Sequence, residues 1–302
     1  MRMARDPGGL GRSGGGGGGR QALGHPLRER QAAFNATSRG HWEGFAEHRG
    51  RLTGVLCRGA EAGRSRLCVL GAGNANDVDL PGLLGAHGEV HLVDLDARAL
   101  ALGAERQGVA GHPRLFLHGG LDVTATLDVL SGWHPLSRVR PADLEALASW
   151  PADRVPTALP GGFDRVASTC VLSQLQETAG HALGPGHGQL EAVESALRAG
   201  HLRLMARLAT PGGVATLVTE IVSSDTLPDL PGRPAEDLAG LLGRLRRTGN
   251  HFRGMHPEQL LAAIRADRSL GATALEASPL PPWRWRLHGR TYLVGGVTFR
   301  PR

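Results

Sequence analysis

The chain has 302 residues, enough to bury a substantial core in one large domain or two small ones. Charged residues make up 21% and hydrophobic ones 41%, a globular balance, and no apolar run reaches the roughly 18 residues of a membrane helix. The formal net charge is +6, yet all 34 basic residues are arginine, the bias expected of a GC-rich genome, so the charge alone is weak support for a nucleic-acid partner.

Residues 1–28 are rich in glycine and arginine with almost no apolar content, so they cannot offset the entropy of ordering and are expected to form a disordered tail. They also lack the apolar segment of a secretory signal. Cys57, Cys68 and Cys170 are odd in number and have no metal-ligand spacing, so no metal site is expected. A soluble, cytoplasmic protein is the expectation. In residues 29–65 the spacing of Phe34, Trp42, Phe45, Leu52, Val55 and Leu56 predicts one or two amphipathic helices, a cap beside a ligand cleft.

Residues 66–302 are expected to form the main domain. Leu67 to Leu70 is the short apolar run of a buried parallel strand, and Gly71 and Gly73 then let the backbone turn sharply and approach a ligand. Asn76 or Asp77 is expected to cap a helix through Leu80, Leu83 and Leu84, with Pro81 in its first turn. Val90 to Val93 is the second strand. It delivers Asp94 to a strand end about 20 residues beyond the glycine turn, where a carboxylate can accept from both hydroxyls of an adenosine ribose. Asp96 is the expected cap of the next helix, 97–107.

A third strand, 114–118, brings Asp122 to the same edge. Residues 124–162 form a proline-rich insertion with one helical patch around 143–148, and loops of this length are usually lids or functional. Strand four is expected at 163–171, a helix at 190–209, and strand five at 214–222 after the turn at Pro211, Gly212 and Gly213. A helix at 256–266 precedes two strands, 275–287 and 291–299, joined by a tight turn and therefore antiparallel. The fold class is α/β: a doubly wound, mostly parallel seven-stranded sheet with a C-terminal antiparallel hairpin and helices on both faces.

This order of motifs resembles the class I S-adenosylmethionine-dependent methyltransferases over residues 66–299. Residues 69–75 (VLGAGNA) are similar to that family's first motif, 93–96 to the second, 120–122 to the third, 163–172 to the fourth and 211–213 to the fifth. The resemblance implies S-adenosylmethionine as cofactor. It implies contacts from Gly71, Ala72, Gly73 and Asn74, ribose binding by Asp94, an adenine edge at Asp122, ring contacts from Leu95 and Val123, and Arg49 on the methionine carboxylate. Val69 stands where many members carry an acid and Ala75 where they carry a third glycine; Asn74, Asn76 or Asp77 could then meet the amino group.

Methyl transfer from a sulfonium needs mainly in-line positioning, so no fixed catalytic signature is expected. Should the acceptor need a base, His118, Glu177, His181, Glu220 and His251 are candidates by position. Trp133, Trp150, Trp283 and Trp285 either wall an acceptor pocket or belong to the core. The first functional reading is methyl transfer to a small molecule, with the insertion and the N-terminal helices forming the acceptor site. Ser168-Thr169-Cys170-Val171 after the fourth strand lacks the Asn-Pro-Pro-Tyr pattern of adenine-N6 or glutamine methylation. The alternatives are a non-catalytic Rossmann-like binding module and an NAD-dependent dehydrogenase, whose turn should carry a third glycine or alanine where Asn76 stands.

Overall fold

The computed structural model describes residues 26–271, 276–287 and 289–301. The glycine-rich stretch up to residue 25 lies outside them. Helix α1 (Pro26–Ser38) takes in the last three residues assigned to the tail. A 3₁₀ segment (Arg39–Phe45) leads into α2 (Ala46–Cys57). The doubly wound part follows as β1 (Arg66–Leu70), α3 (Leu80–Ala86), β2 (Glu89–Asp94), α4 (Ala97–Arg106) and β3 (Leu115–Gly119). Asp79, not Asn76 or Asp77, occupies the cap position of α3, with no side-chain bond, and Pro81 lies in the first turn as expected. Asp96 caps α4 by accepting from the Ala99 N–H.

Next come α5 (Leu127–Ser131), α6 (Pro141–Arg154), β4 (Phe163–Thr169), α7 (Val171–Leu183), α8 (Leu190–Leu208) and β5 (Ala209–Ser223). Strand β5 starts at Ala209, so Pro211 to Gly213 lie inside it rather than before it; its pairing with β4 shifts register between Ala209 and Val214. Helices α9 (Leu238–Thr248) and α10 (Pro257–Ala266) precede β6 (Glu276–Pro279), β7 (Trp283–Leu287) and β8 (Arg290–Arg300). None of the described helices is long and apolar enough to cross a membrane.

All eight strands form one sheet of order β3-β2-β1-β4-β5-β8-β6, with β7 also on β8. The first five are parallel, and β8 enters antiparallel against β5. The count is eight rather than seven because Leu280, Pro281 and Pro282 break the strand expected at 275–287. Two consecutive prolines offer no N–H to a ladder. The pieces then lie along one edge of β8, β6 beside Val297–Arg300 and β7 beside Arg290–Val294.

The period-two pattern of β1 shows why the sheet is buried on both faces. Leu67 and Val69 join α2, α3 and β7 residues in one apolar cluster, while Cys68 and Leu70 join α7 and α8 residues in another. The insertion belongs to the second cluster. Its helix α6 lies on α8 so closely that a Cβ on Gly200 would come within 2.2 Å of the Leu147 carbonyl, and Leu147 and Val155 are buried. The expected lid is therefore mostly core structure, and Asp143, held by Arg140, begins its helix.

Candidate active site

Strand order reverses between β1 and β4, and in open parallel sheets the crevice at the carboxyl ends of such strands receives ligands. The turn after β1 is built for it. Gly71 and Gly73 hold φ of 71° and 48°, and a Cβ on Gly71 would meet the Val171 side chain at 2.2 Å. The Gly71 and Ala72 N–H groups donate to the Val93 carbonyl at 2.9 and 3.1 Å, which fixes the turn against the end of β2.

Asp94 ends β2 and is 5% exposed. Its Oδ2 accepts from Gly73 N–H at 2.8 Å, and its Oδ1 accepts from Asp96 N–H at 2.8 Å and from Asn35 Nδ2 at 3.4 Å. Burial raises its carboxyl above the ordinary range, opposed by the two backbone donors and Asn35. Two oxygens offer about four acceptor positions, so a lone pair remains for a further donor. Beside it runs an apolar slot formed by Leu95, Leu121, Val123 and Leu127, roofed by Leu27 and Gln31 of α1. The slot has a volume of about 60 Å³.

Across Gly71, Gln31 and Gln174, which line both spaces, the slot continues into a cleft of about 360 Å³. Ala72, Gly73 and Asn74 form one wall, α1 and the 3₁₀ segment a second, and Phe252, Trp285 and Tyr292 a third. Asp77, Cys170, Ser173 and Glu220 converge at its floor. Cys170, at the end of β4, has a left-handed φ of 55° and is 5% exposed. Glu220 stands where the pairing of β5 with β8 shifts register, a bulge of the kind that re-aims a side chain. Its Oε2 accepts from Ser173 Oγ at 2.7 Å.

Burial raises the Glu220 carboxyl, with Ser173 and His48 opposing and Asp77 reinforcing the shift. Burial likewise drives the Cys170 thiol well above its usual range, helped by Glu220 and Asp77. Behind this floor His48 is fully enclosed: it accepts from Trp283 Nε1 at 3.1 Å, stacks on Trp285 at 4.4 Å and faces Asp77 Oδ1 at 3.3 Å. Three buried polar atoms of cleft residues have no hydrogen-bond partner among the described residues: Asn74 Oδ1, Asp77 Oδ1, which faces His48, and Trp285 Nε1.

Several residues singled out in the sequence take other places. Arg49 does not line the cleft; its guanidinium donates to the Trp42 and Asn76 carbonyls and lies over the Trp42 ring. Asp122 borders the slot, but its carboxylate already accepts from Thr124 N–H and Oγ1, Thr126 N–H and Leu127 N–H. That is the loop-forming role of an aspartate, not an open edge for adenine. His118 stacks on His91 on the outer part of the sheet, His181 is exposed on α7, and His251 bonds the Phe252 carbonyl. Of the five candidate bases only Glu177 and Glu220 reach the cleft. Glu177 is at the rim, paired with Arg30. Apart from Thr124 and Leu127, no insertion residue lines either space, so the acceptor walls expected from it come from α1, β7 and β8. Of the tryptophans only Trp285 borders the cleft; Trp283 is buried behind it, Trp133 packs on the core and Trp150 lies under Arg154.

Ser173 and Cys170 carried no signal in the sequence. Only the left-handed backbone at Cys170 marks the spot, and it is visible only in three dimensions.

No family model matches the chain, and no curated protein matches it. Among solved structures it is similar to the magnesium protoporphyrin IX methyltransferase ChlM from Synechocystis PCC 6803, 14% identical over 93% of this chain and 100% of that one, at a TM-score of 0.46. It is similar also to the N-methyltransferase NodS from Bradyrhizobium japonicum WM9, 14% identical over 85% and 86%, at 0.41. TrmN from Thermus thermophilus is 14% identical over 83% of this chain and 47% of its own, at 0.40. The fold rests on the strand order itself: a Rossmann-like, doubly wound sheet closed by antiparallel strands, the architecture implied by the resemblance to class I methyltransferases.

Proposed function

We propose that this chain is an S-adenosylmethionine-dependent methyltransferase acting on a small-molecule acceptor. The observation that carries the reading is the junction at Gly71, where a slot bordered by a buried carboxylate opens into a separate, larger cleft. A nucleoside with a reactive arm needs that shape: Asp94 for the ribose, Leu95 and Val123 for the ring, and Gly73 and Asn74 along the arm. The residues present fit such a group. The turn glycines pack the backbone against the Val171 and Asn35 side chains, where a Cβ would clash, and the Asp94 carboxylate keeps a lone pair for a further donor, as a ribose hydroxyl would be.

When bound, the cofactor supplies an activated methyl group on a sulfonium. The chain's own work is then to orient and to exclude water. Phe45, Phe252 and Trp285 give the cleft apolar walls, and Glu220 lies where a proton leaving the acceptor can be received.

Calorimetric titration with S-adenosylmethionine, S-adenosylhomocysteine and NAD, beside an Asp94→Ala variant, tests the reading. Micromolar binding of the first two, lost in the variant, supports it. Binding of NAD alone, or of none of the three, removes it.

A further inference from the structure

Basic residues exceed acidic ones by six in this chain, yet among the described residues none lines the main cleft. Its charged groups are the carboxylates Asp77, Glu177 and Glu220. Glu177 is neutralised at the rim by Arg30, and Asp77 lies 3.3 Å from His48. Glu220 has no arginine partner among the described residues; its contacts are the Ser173 hydroxyl and the enclosed Cys170. A carboxylate held in a recess without a matching cation is costly, and a cationic ligand removes that cost.

An independent observation gives the same polarity. Asn74 is 4% exposed and donates through Nδ2 to the Asn35 carbonyl at 2.6 Å and to Ser38 Oγ at 3.1 Å. Both amide hydrogens are thus committed, which leaves Oδ1 as a buried, unpartnered acceptor on the cleft wall. The acceptors at the floor and the wall outnumber the one unpartnered donor there, Trp285 Nε1, and call for a ligand that donates. Trp285 and Tyr292, with ring centroids 5.8 Å apart, add the aromatic surface to which ammonium groups are drawn.

We propose that the methyl acceptor is an amine, bound as its ammonium ion, and that Glu220 receives its proton. The proposal rests on the methyl-transfer reading above. In the step, the ammonium N–H passes its proton to the Glu220 carboxylate, and the freed nitrogen lone pair forms the new N–C bond. The C–S bond breaks with its electron pair on sulfur, so the sulfonium donor leaves as a neutral thioether. Glu220 then releases the proton to water. A carboxyl raised by burial is a better base than a free one, because its charged form is less stabilised before transfer.

The test is calorimetry on the full chain with S-adenosylhomocysteine, then with two ammonium and alcohol pairs: 2-phenylethylammonium against 2-phenylethanol, and hexylammonium against hexanol. Each ammonium is expected to bind at least about tenfold tighter than its alcohol. Glu220→Gln, with its thermal midpoint recorded to confirm folding, is expected to remove that preference and to leave S-adenosylhomocysteine affinity within about threefold. Ser173→Ala, which strips one contact from Glu220, gives a smaller loss of the same sign. Mass spectrometry with S-adenosylmethionine and the bound amine is expected to show an N-methylated product. Equal affinity for ammonium and alcohol, or binding of neither ammonium, overturns the proposal. So does a Glu220→Gln variant that loses S-adenosylhomocysteine instead, for the carboxylates then serve the cofactor. Ammonium preference without S-adenosylhomocysteine binding overturns the methyl-transfer reading and leaves an amine-binding cleft.

Discussion

The Gly73 backbone N–H donates to the Asp94 carboxylate at 2.8 Å, so the turn after β1 and the end of β2 are held as one unit. Asp94→Ala removes a buried acceptor that orients the turn and, in the proposed function, the ribose contact. The expected result is a loss of S-adenosylhomocysteine affinity on the order of 100-fold, from hydrogen bonds to a charged group worth about 1.5–3 kcal/mol each. Titration calorimetry checks it.

Asp122 separates from Asp94 under the same measurement. Its four bonds stay within residues 124–127, so Asp122→Ala is expected to lower the unfolding free energy by about 1–3 kcal/mol. Affinity should change by less than about fivefold, under 1 kcal/mol. A fall in affinity matching that of Asp94→Ala would return Asp122 to the ligand.

These two aspartates show what the sequence made legible. Both follow parallel strands, and that placement can be read from apolar runs and glycines. Whether a carboxylate is free depends on where the next few N–H groups point, which loop geometry decides and composition does not. The same holds for Arg49, whose partners are backbone carbonyls. The floor of the cleft was harder still, because Asp77, the pair Cys170 and Ser173, and Glu220 come from three separate stretches joined only by the sheet. The split of the expected hairpin strand, by contrast, was written in Pro281 and Pro282, whose missing donors break any ladder.

Gly71→Ala is expected to destabilise by about 2–4 kcal/mol, through a left-handed φ and the 2.2 Å approach to Val171. Adding Val171→Ala relieves the contact but not the dihedral, so the double variant should recover only part of the loss in chemical denaturation. Full recovery would show that the φ carries no cost.

Ala75, Ala125 and Cys170 are the non-glycine residues at positive φ among the described residues, and they follow β1, β3 and β4 at the ligand edge of the sheet. Strain concentrated there fits a functional edge. Ala75→Gly should raise stability by about 0.5–1 kcal/mol, seen as a higher denaturation midpoint, because it frees a φ of 51°.

His201 is 1% exposed, with Nε2 on Ser168 Oγ at 2.7 Å, and burial pushes its imidazole down to about 4. Folding therefore favours the neutral ring. Its contribution is fully present above the unfolded value near 6.5 and is lost as pH falls toward 4. That separation corresponds to about 3 kcal/mol of acid destabilisation. Urea midpoints at pH 7 and 4.5 should converge in His201→Gln relative to the parent; an unchanged difference would assign the acid sensitivity elsewhere.

Helix α1 roofs a slot of only about 60 Å³ with Leu27 and Gln31 while Asn35 holds Asp94 from the same helix. In the proposed function the nucleoside would lie beneath these α1 residues, so the seating of the helix and the affinity of the slot are linked. Binding would then order α1 together with the ligand, and release of the nucleoside would be paced by the same helix.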